Sequence, residues 1–316
     1  MGAAGHAAPI LHQFDLSRLD RARGGLLFVQ TLLTGLAIGG IYALMAVGYS
    51  LVFSILNFSN FAYGSIIMLG AYIGYFSMVK LGLPIGIAIV FSILGAAVLC
   101  YLNERLAYSP LRKRRASSLF FMISAMGTAI FLENLVYAVV GAHFYAFPEV
   151  FTKSNITYHG VSIGVLDVFA IGFSFAAIYA LHFFLQKSRT GIAIRAASYD
   201  IQVCGLNGVN DKQLIGLVFL LAGGLAGISG TFLGMKYIVY PTMGWITNKA
   251  YIAAVIGGLG SLPGAVVGGI LLGVTETFVS AYVSSVVRDV FSFSLLVLLL
   301  MVMPTGLFGR FLEEKV

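Results

Sequence analysis

Eight long apolar segments joined by short polar loops constrain this 316-residue chain more than any other feature of its sequence. An α-helix needs ~20 predominantly apolar residues to cross the hydrocarbon core of a bilayer, and the segments are of that scale. They are approximately Leu26–Val47, Phe61–Val79, Leu83–Leu102, Leu119–Val140, Val165–Leu185, Leu214–Gly234, Val266–Tyr282 and Val286–Met303. The sequence therefore predicts an all-α polytopic membrane protein with about eight transmembrane helices.

The composition supports the same class of protein. Hydrophobic residues make up 59% of the chain, charged residues only 10%, and the mean hydropathy is +0.96. The net charge of +7 comes from cations in short loops between apolar segments, which is typical of membrane proteins and not of a nucleic-acid-binding patch. Two cysteines and five scattered histidines give neither a disulfide framework nor a ligand spacing, so no metal or cofactor is expected.

The chain is predicted to hold one transmembrane domain over residues 26–310. A polar tail of residues 1–25 precedes it, and residues 311–316 form a C-terminal tail. The first apolar run begins a long helix and is not followed by a small-residue cleavage site, so the N-terminal tail is predicted to stay uncleaved.

Loop charge predicts the orientation of the chain in the membrane. The loop between Leu102 and Leu119 carries five cations against one glutamate, and the loop of residues 186–213 is also basic, so both are predicted to be cytoplasmic. Residues 142–164 carry one lysine and one glutamate and are predicted to lie outside. An N-terminal tail on the cytoplasmic side, with its three arginines, requires a segment that enters and leaves the membrane on the outer face.

Two apolar pieces are too short to span alone and supply such segments. Ser50–Asn60 ends in the break Asn57–Asn60, and Ala250–Gly258 runs into a glycine-rich break over residues 257–264. Broken half-helices at matching places in two halves of a chain indicate a transport site. The alternative is that these are glycine-rich helices packed closely through small residues.

The two breaks supply candidate residues for the substrate pathway: Asn57, Asn60, Tyr63 and Gly64 in the first, and Gly258 and Ser261 in the second. The free N–H and C=O groups at the ends of half-helices suit the ammonium and carboxylate of a zwitterion. Asn57 and Asn60 can also simply cap the broken ends, and the two roles do not exclude each other.

Carboxylates within apolar segments give further pathway candidates. Glu133 lies beside Asn134 well inside Leu119–Val140, and Glu276 lies nearer a helix end. An ionisable side chain at membrane depth costs about 2.5 kcal/mol or more unless it faces a partner or water. The alternatives are a structural pair with a neighbouring helix, or a protonated carboxyl held by donors.

The sequence contains no phosphate-binding G-x-x-x-x-G-K-[ST] loop and no signature of a metalloprotease or a serine hydrolase. The chain is therefore predicted not to be an enzyme. Its longest polar island, residues 195–210 (RAASYDIQVCGLNGVN), is predicted to dock a partner protein on the cytoplasmic side. Its candidate contact residues are Arg195, Ala196, Asp200, Gly205 and Gly208.

Several motifs, in the same order along the chain, resemble those of a known family. Residues 35–44 (GLAIGGIYAL), 48–53 (GYSLVF) and 57–64 (NFSNFAYG) are similar to the opening of ABC-transporter permeases for branched-chain amino acids. Arg195-Ala196, with Asp200, Gly208, Val209 and Asn210, resembles the family's cytoplasmic R-A-x₃-D-x₇-G-[IV]-[ND] loop. Two late motifs, GGLGSLPGA at 257–265 and MPTGLFGR at 303–310, complete a resemblance that covers residues 32–310 and is closest to the first of two paired permeases.

The resemblance implies a bacterial inner-membrane importer for branched-chain amino acids or related small polar solutes. Its partners would be a homologous second permease, two cytoplasmic ABC ATPases and an extracytoplasmic solute-binding protein, within a lipid bilayer and without nucleic acid. The 186–213 loop would be the coupling helix that contacts an ATPase. Tyr63 stands where the family often has His or Gln, which leaves the identity of the solute open at the first break. Glu133 stands where a neutral amide is more usual, which would suit a more polar solute such as an amide, urea, or a basic or dicarboxylic compound.

Two other functions are left open by the residues themselves. A secondary transporter or channel driven by an ion gradient can use Glu133 and Glu276 in a proton path. A membrane scaffold without transport can recruit a partner through the Arg195 loop, although a scaffold does not need interrupted helices.

Overall fold

The computed structural model of the chain describes residues 8–148, 155–158 and 161–309. Each of the eight predicted apolar segments corresponds to one helix: α1 (Ala8–Leu56), α2 (Tyr63–Val79), α3 (Ile85–Asn103), α5 (Ser118–Val140), α6 (Val165–Lys187), α9 (Asp211–Lys236), α11 (Leu262–Tyr282) and α12 (Arg288–Val302). Within the described residues, six helices are long and apolar enough to cross a membrane, whereas α2 and α12 are shorter, with 17 and 15 residues. The all-α polytopic class is confirmed.

Shorter elements lie between these helices. A π-helical turn (Glu104–Tyr108) continues α3 into α4 (Ser109–Lys113), and the loop of residues 186–213 folds into α7 (Arg189–Ala197) and α8 (Ile201–Leu206). A 3₁₀ turn (Pro241–Ile246) leads into α10 (Thr247–Gly257), and the strands β1 (Asn155–Tyr158) and β2 (Val161–Gly164) form an antiparallel hairpin before α6. The domain boundaries stay a prediction, because residues 1–7 and 310–316 lie outside the described residues.

The first short segment differs from its prediction, and the second agrees. Residues 50–56 are the last turns of α1, so the separate half-helix expected over Ser50–Asn60 is wrong; only the break that follows Leu56 is present. Gly48 does not interrupt α1 because it packs against the ring of Tyr63, and such packing outweighs the ~1 kcal/mol that glycine costs a helix. The second half-helix is α10, with 11 residues.

The continuity of α1 also shows on which side of the bundle the start of this helix lies, relative to the loop between Leu102 and Leu119. At its C-terminal end Phe58 contacts Tyr108 of the loop predicted to be cytoplasmic, with ring centroids 5.2 Å apart. Near the other end Phe28 contacts Phe278 of α11. The 32 residues Gly25–Leu56 extend ~48 Å, so these two ends lie on opposite sides of the bundle. The arrangement with the N-terminal tail and this loop on the same side, which the sequence had left open, is therefore not the one observed.

Glycines set how closely the helices pack. Helices α1 and α11 are antiparallel, and a Cβ added at Gly273 would overlap the backbone of Gly39. Helix α9 meets α3 in the same way, since a Cβ at Gly227 would meet the carbonyl of Ser92. Small residues allow such close approach of helix backbones in membranes. The close-packing alternative considered for the glycine-rich helices is thus correct for these pairs, without excluding a transport role.

Candidate functional site

The first break begins with a cap. Asn57 has a φ of +49°, and its N–H donates to the carbonyl of Phe53 at 2.9 Å. A residue in the left-handed region after the last turn is a common way to end an α-helix. Asn57 is exposed and therefore has the structural role that was considered as its alternative; a contact with solute stays a prediction.

Asn60, by contrast, does not cap a helix. Its side chain is 2% exposed, and its Oδ1 accepts a hydrogen bond of 2.7 Å from the hydroxyl of Tyr108. The Nδ2 of Asn103 donates to the same hydroxyl at 3.4 Å. Among the described residues, neither Nδ2 of Asn60 nor Oδ1 of Asn103 has a hydrogen-bond partner. Asn60 thus ties the first break to the π-helical turn after α3.

An ion pair that was not predicted from the sequence joins this turn to α4. Glu104 is fully buried, and its Oε1 lies 2.8 Å from Nη2 of Arg112, whose side chain is 20% exposed. Glu104 is the first residue of the π-helical turn, and turns of this kind are rare and frequently found at functional sites. The pair fixes the loop on which Tyr108 stands.

Tyr63 and Gly64 join the first break to α9 and α10, respectively. The Tyr63 hydroxyl donates to the carbonyl of Ala222 at 3.1 Å, and its ring meets that of Tyr49 edge-on at 6.2 Å. A Cβ at Gly64 would overlap Thr247 at the start of α10. Both residues are buried, so glycine at 64 is required by close approach.

The break and the half-helix therefore meet in space. Tyr251 of α10 lies between Tyr49 and Phe61, with centroid distances of 5.9 and 6.4 Å. Tyr251 and Phe61 are both partly exposed, whereas Tyr49 is buried. Sequence reasoning placed the two breaks in matching positions but could not show that they contact each other, and it missed Tyr251.

The second break is held by hydrogen bonds from residues 307 and 308. Gly258 has a φ of +103°, and Ser261 caps α11 by accepting a hydrogen bond from the N–H of Gly264 at 3.2 Å. The backbone N–H groups of Leu307 and Phe308 donate to the last carbonyls of α10 at 3.0 and 2.9 Å. Gly258 and Ser261 thus have structural roles here, and their contact with solute stays a prediction.

Glu276 lies in a buried charged network. Its carboxylate pairs with Nζ of Lys249, and both side chains are 1% exposed. The hydroxyl of Tyr42 donates to Glu276 at 3.0 Å, the hydroxyl of Ser292 also donates to it, and Lys249 donates to Asp289 at 2.8 Å. The structural-pair alternative for Glu276 is therefore the one observed. Lys249 was missed because it immediately precedes the apolar piece Ala250–Gly258.

Glu133 and Asn134 do not join that network. Glu133 is partly exposed on α5, and the Nδ2 of Asn134 donates to the carbonyl of Ile130 in its own helix at 2.8 Å. Helix α5 is peripheral, with 17% of its apolar window buried. The pathway role of Glu133 stays a prediction, and it requires a neighbour from outside this chain or water.

The loop of residues 186–213, which is predicted to be cytoplasmic, is ordered by three side-chain caps. The Oγ of Ser188 accepts from the N–H of Gly191 at the start of α7, and Oδ1 of Asp200 accepts from the N–H of Val203 in α8. Oδ1 of Asn210 accepts from the N–H of Lys212 and begins α9. Such caps contribute about 1 kcal/mol each. Asp200 therefore shapes the loop, whatever else it contacts.

This loop exposes apolar side chains as well as charge. Arg195 and Ala196 are exposed on α7. Large apolar side chains beside them are exposed by half or more: Ile192 51%, Tyr199 72%, Val203 50% and Leu206 89%. Apolar side chains on a polar loop outside the apolar spans are typical of a protein-binding surface.

Gly205 and Gly208 offer a matched test of how this loop is built. A Cβ at either position would meet no atom within 4 Å, but only Gly208 has a positive φ, of +80°. We expect Gly208→Ala to weaken the end of α8 by about 1–2 kcal/mol, because an L-residue is strained there. Gly205→Ala should leave α8 unchanged or firmer, since alanine favours helices. Amide hydrogen exchange over residues 201–210 measures both, and equal protection in the two variants would contradict the prediction.

Comparison with known proteins places residues 31–303 within one family model, described as the permease component of a branched-chain amino acid transport system. The chain is 37% identical over 305 residues to the high-affinity branched-chain amino acid transport system permease protein LivH of Escherichia coli K12, covering 92% of this chain and 98% of that protein. It is 36% identical to BraD of Pseudomonas aeruginosa, with the same coverage. A probable LivH permease of Methanocaldococcus jannaschii is 26% identical over 282 residues, with coverage of 84% and 88%.

Proposed function

Since this chain belongs to the family of branched-chain amino acid transport permeases and is a multi-pass inner-membrane permease subunit, we propose that it forms one half of the solute pathway of an ATP-driven importer. A homologous permease supplies the other half. Two cytoplasmic ABC ATPases drive alternating access, and an extracytoplasmic binding protein delivers the solute. The solutes are branched-chain amino acids or related small polar compounds such as amides and urea.

The observation that carries the proposal is the capped, apolar surface of α7 and α8. An ATPase that moves the permease must bind a loop that is rigid enough to transmit the movement. The three caps give this loop a defined structure. Leu206, 89% exposed, would enter a groove of the ATPase, and Arg195 would pair with its acidic rim. Buried apolar anchors surrounded by polar contacts carry most of the binding energy of protein interfaces.

Two contacts support the gating part of the proposal. The first break lies against α10 through Gly64 and Thr247, and Tyr251 lies between Tyr49 and Phe61. A shift of α10 therefore changes the environment of the first break directly. The partly exposed faces of Phe61 and Tyr251 suit the apolar side chain of a branched-chain amino acid.

Uptake by reconstituted proteoliposomes tests the proposal. The complete set of partners should take up leucine, isoleucine or valine only with ATP, and Leu206→Asp should lower that uptake more than tenfold, because a central anchor contributes about 2 kcal/mol or more. Asp200→Asn separates charge from the apolar anchor, since asparagine retains the cap of α8 while losing the charge. Competition by amides and urea defines the solute class.

The results also separate the other functions. Uptake by this chain alone, driven by an ion gradient without ATP, would replace the proposal with a secondary transporter. Unchanged ATP-dependent uptake in Leu206→Asp would remove the coupling role of α8 and leave the importer itself in place.

A further inference from the structure

The buried network around Lys249 joins the last three helices of the described chain to α1. Lys249 comes from α10, Glu276 from α11, Asp289 from α12 and Tyr42 from α1. Each bond crosses between two of these elements, so the network determines their relative positions. These bonds add directional contacts to the close packing that also joins the helices.

The network is electrically complete. Lys249 and Arg288 supply two cations, and Glu276 and Asp289 supply two anions. The inner pair is 1% exposed, while Asp289 is 45% exposed and lies at the rim. A charge inside an apolar bundle stays there only when its partner stays too, so Lys249 pins α10 to α11 and α12.

The element that is pinned is the one that reaches the first break. Tyr251 is two residues after Lys249 and contacts Phe61 and Tyr49, while Thr247 is two residues before it and packs on Gly64. An 11-residue helix lacks the length to hold its own register, so an internal anchor decides where these side chains stand.

We propose that Lys249 is a positioning residue of the transport pathway. Its ion pairs with Glu276 and Asp289 hold α10 in the register that places Tyr251 against the first break. The same ion pairs make α10, α11 and α12 move as one unit. The residue does not contact solute. The role of Lys249 in transport rests on the proposed function. The fixed position of α10 does not, because it depends on contacts within this chain alone.

The chain carries a built-in reporter of α10. Trp245 is the single tryptophan in the sequence, it lies in the 3₁₀ turn that enters α10, and its Nε1–H donates to the hydroxyl of Tyr240 at 2.8 Å. Acrylamide quenching of Trp245 in the purified full-length chain therefore reports the position of the start of α10 without partners or ATP.

Three variants test the proposal. Lys249→Met removes the anchor and strands Glu276, and should raise the quenching of Trp245. The double variant Lys249→Met with Glu276→Gln strands no charge, so it should recover much of the stability while keeping the raised quenching. Gly227→Leu, which overpacks α9 against the carbonyl of Ser92 in α3, should lower stability and leave the quenching of Trp245 unchanged.

Uptake by the assembled importer gives the functional readout. Both Lys249 variants should lower uptake by about tenfold to a hundredfold, by analogy with residues that orient a metal ligand without contacting the metal. Restored quenching and uptake in the double variant would reduce Lys249 to a purely structural role and overturn the proposal. Failure of all ATP-dependent uptake in the unaltered chain would instead contradict the importer, while the quenching results would still decide the pinning of α10.

Discussion

Replacing Gly273 by leucine should prevent α1 and α11 from packing and leave little folded protein. A Cβ at this position already overlaps the backbone of Gly39, and backbone atoms cannot rotate away as a side chain can. The two helices would have to separate along an interface that also includes Gly269 against Ala43. Overpacking in a core costs about 1–3 kcal/mol and more where the backbone must move, so we expect a loss of at least 3 kcal/mol.

The matched control is Gly172→Leu on α6. A Cβ there meets no atom within 4 Å, and the position is exposed to the surroundings of the bundle. Its stability should change by about 0.5 kcal/mol or less. The measurements are the yield of monodisperse protein in detergent and its unfolding temperature. Equal behaviour of the two leucine variants would mean that α1 and α11 are not held together by this glycine contact.

Hydropathy predicted the helices well because it measures the one property that a bilayer selects. It could not predict which helices lie in the centre. The apolar windows of α1 and α5 have nearly the same mean hydropathy, 1.9 and 1.8, yet 89% of one and 17% of the other is buried. In water a buried face differs from an exposed face in polarity, but lipid is as apolar as a protein core, so that periodic signal disappears.

The candidate site divides along the same physical line. Residues whose role depends on local chain geometry, such as Asn57 at a helix end and Gly208 at a positive φ, could be found from the sequence. Lys249 and Glu276 are 27 positions apart and Glu276 was found without its partner, because pairing across helices is set by register and not by spacing. The contact of Tyr251 with the first break was missed for the same reason.

Replacing Arg112 by methionine should strongly destabilise the segment between α3 and α5. The variant leaves the carboxylate of Glu104 fully buried, with Nε of Arg105 at 3.6 Å as the remaining cation in reach. Removing one partner of a buried pair costs about 3–5 kcal/mol, because the stranded charge has lost its compensation. The loop that carries Tyr108 should then loosen, and with it the hold on Asn60.

The reverse variant should be milder, and this asymmetry is the test. Glu104→Gln leaves a guanidinium whose side chain is 20% exposed and can reach water, so we expect a loss of about 1.5–3 kcal/mol, that of a hydrogen bond to a charged group. The double variant, with neither charge, should be more stable than Arg112→Met alone. Denaturant unfolding in detergent ranks the three. A Glu104→Gln variant as unstable as Arg112→Met would show that the pair is held by geometry and not by the burial of the carboxylate. The ordering expected here follows because burial is unequal within the pair: the more deeply buried charge depends more on its partner.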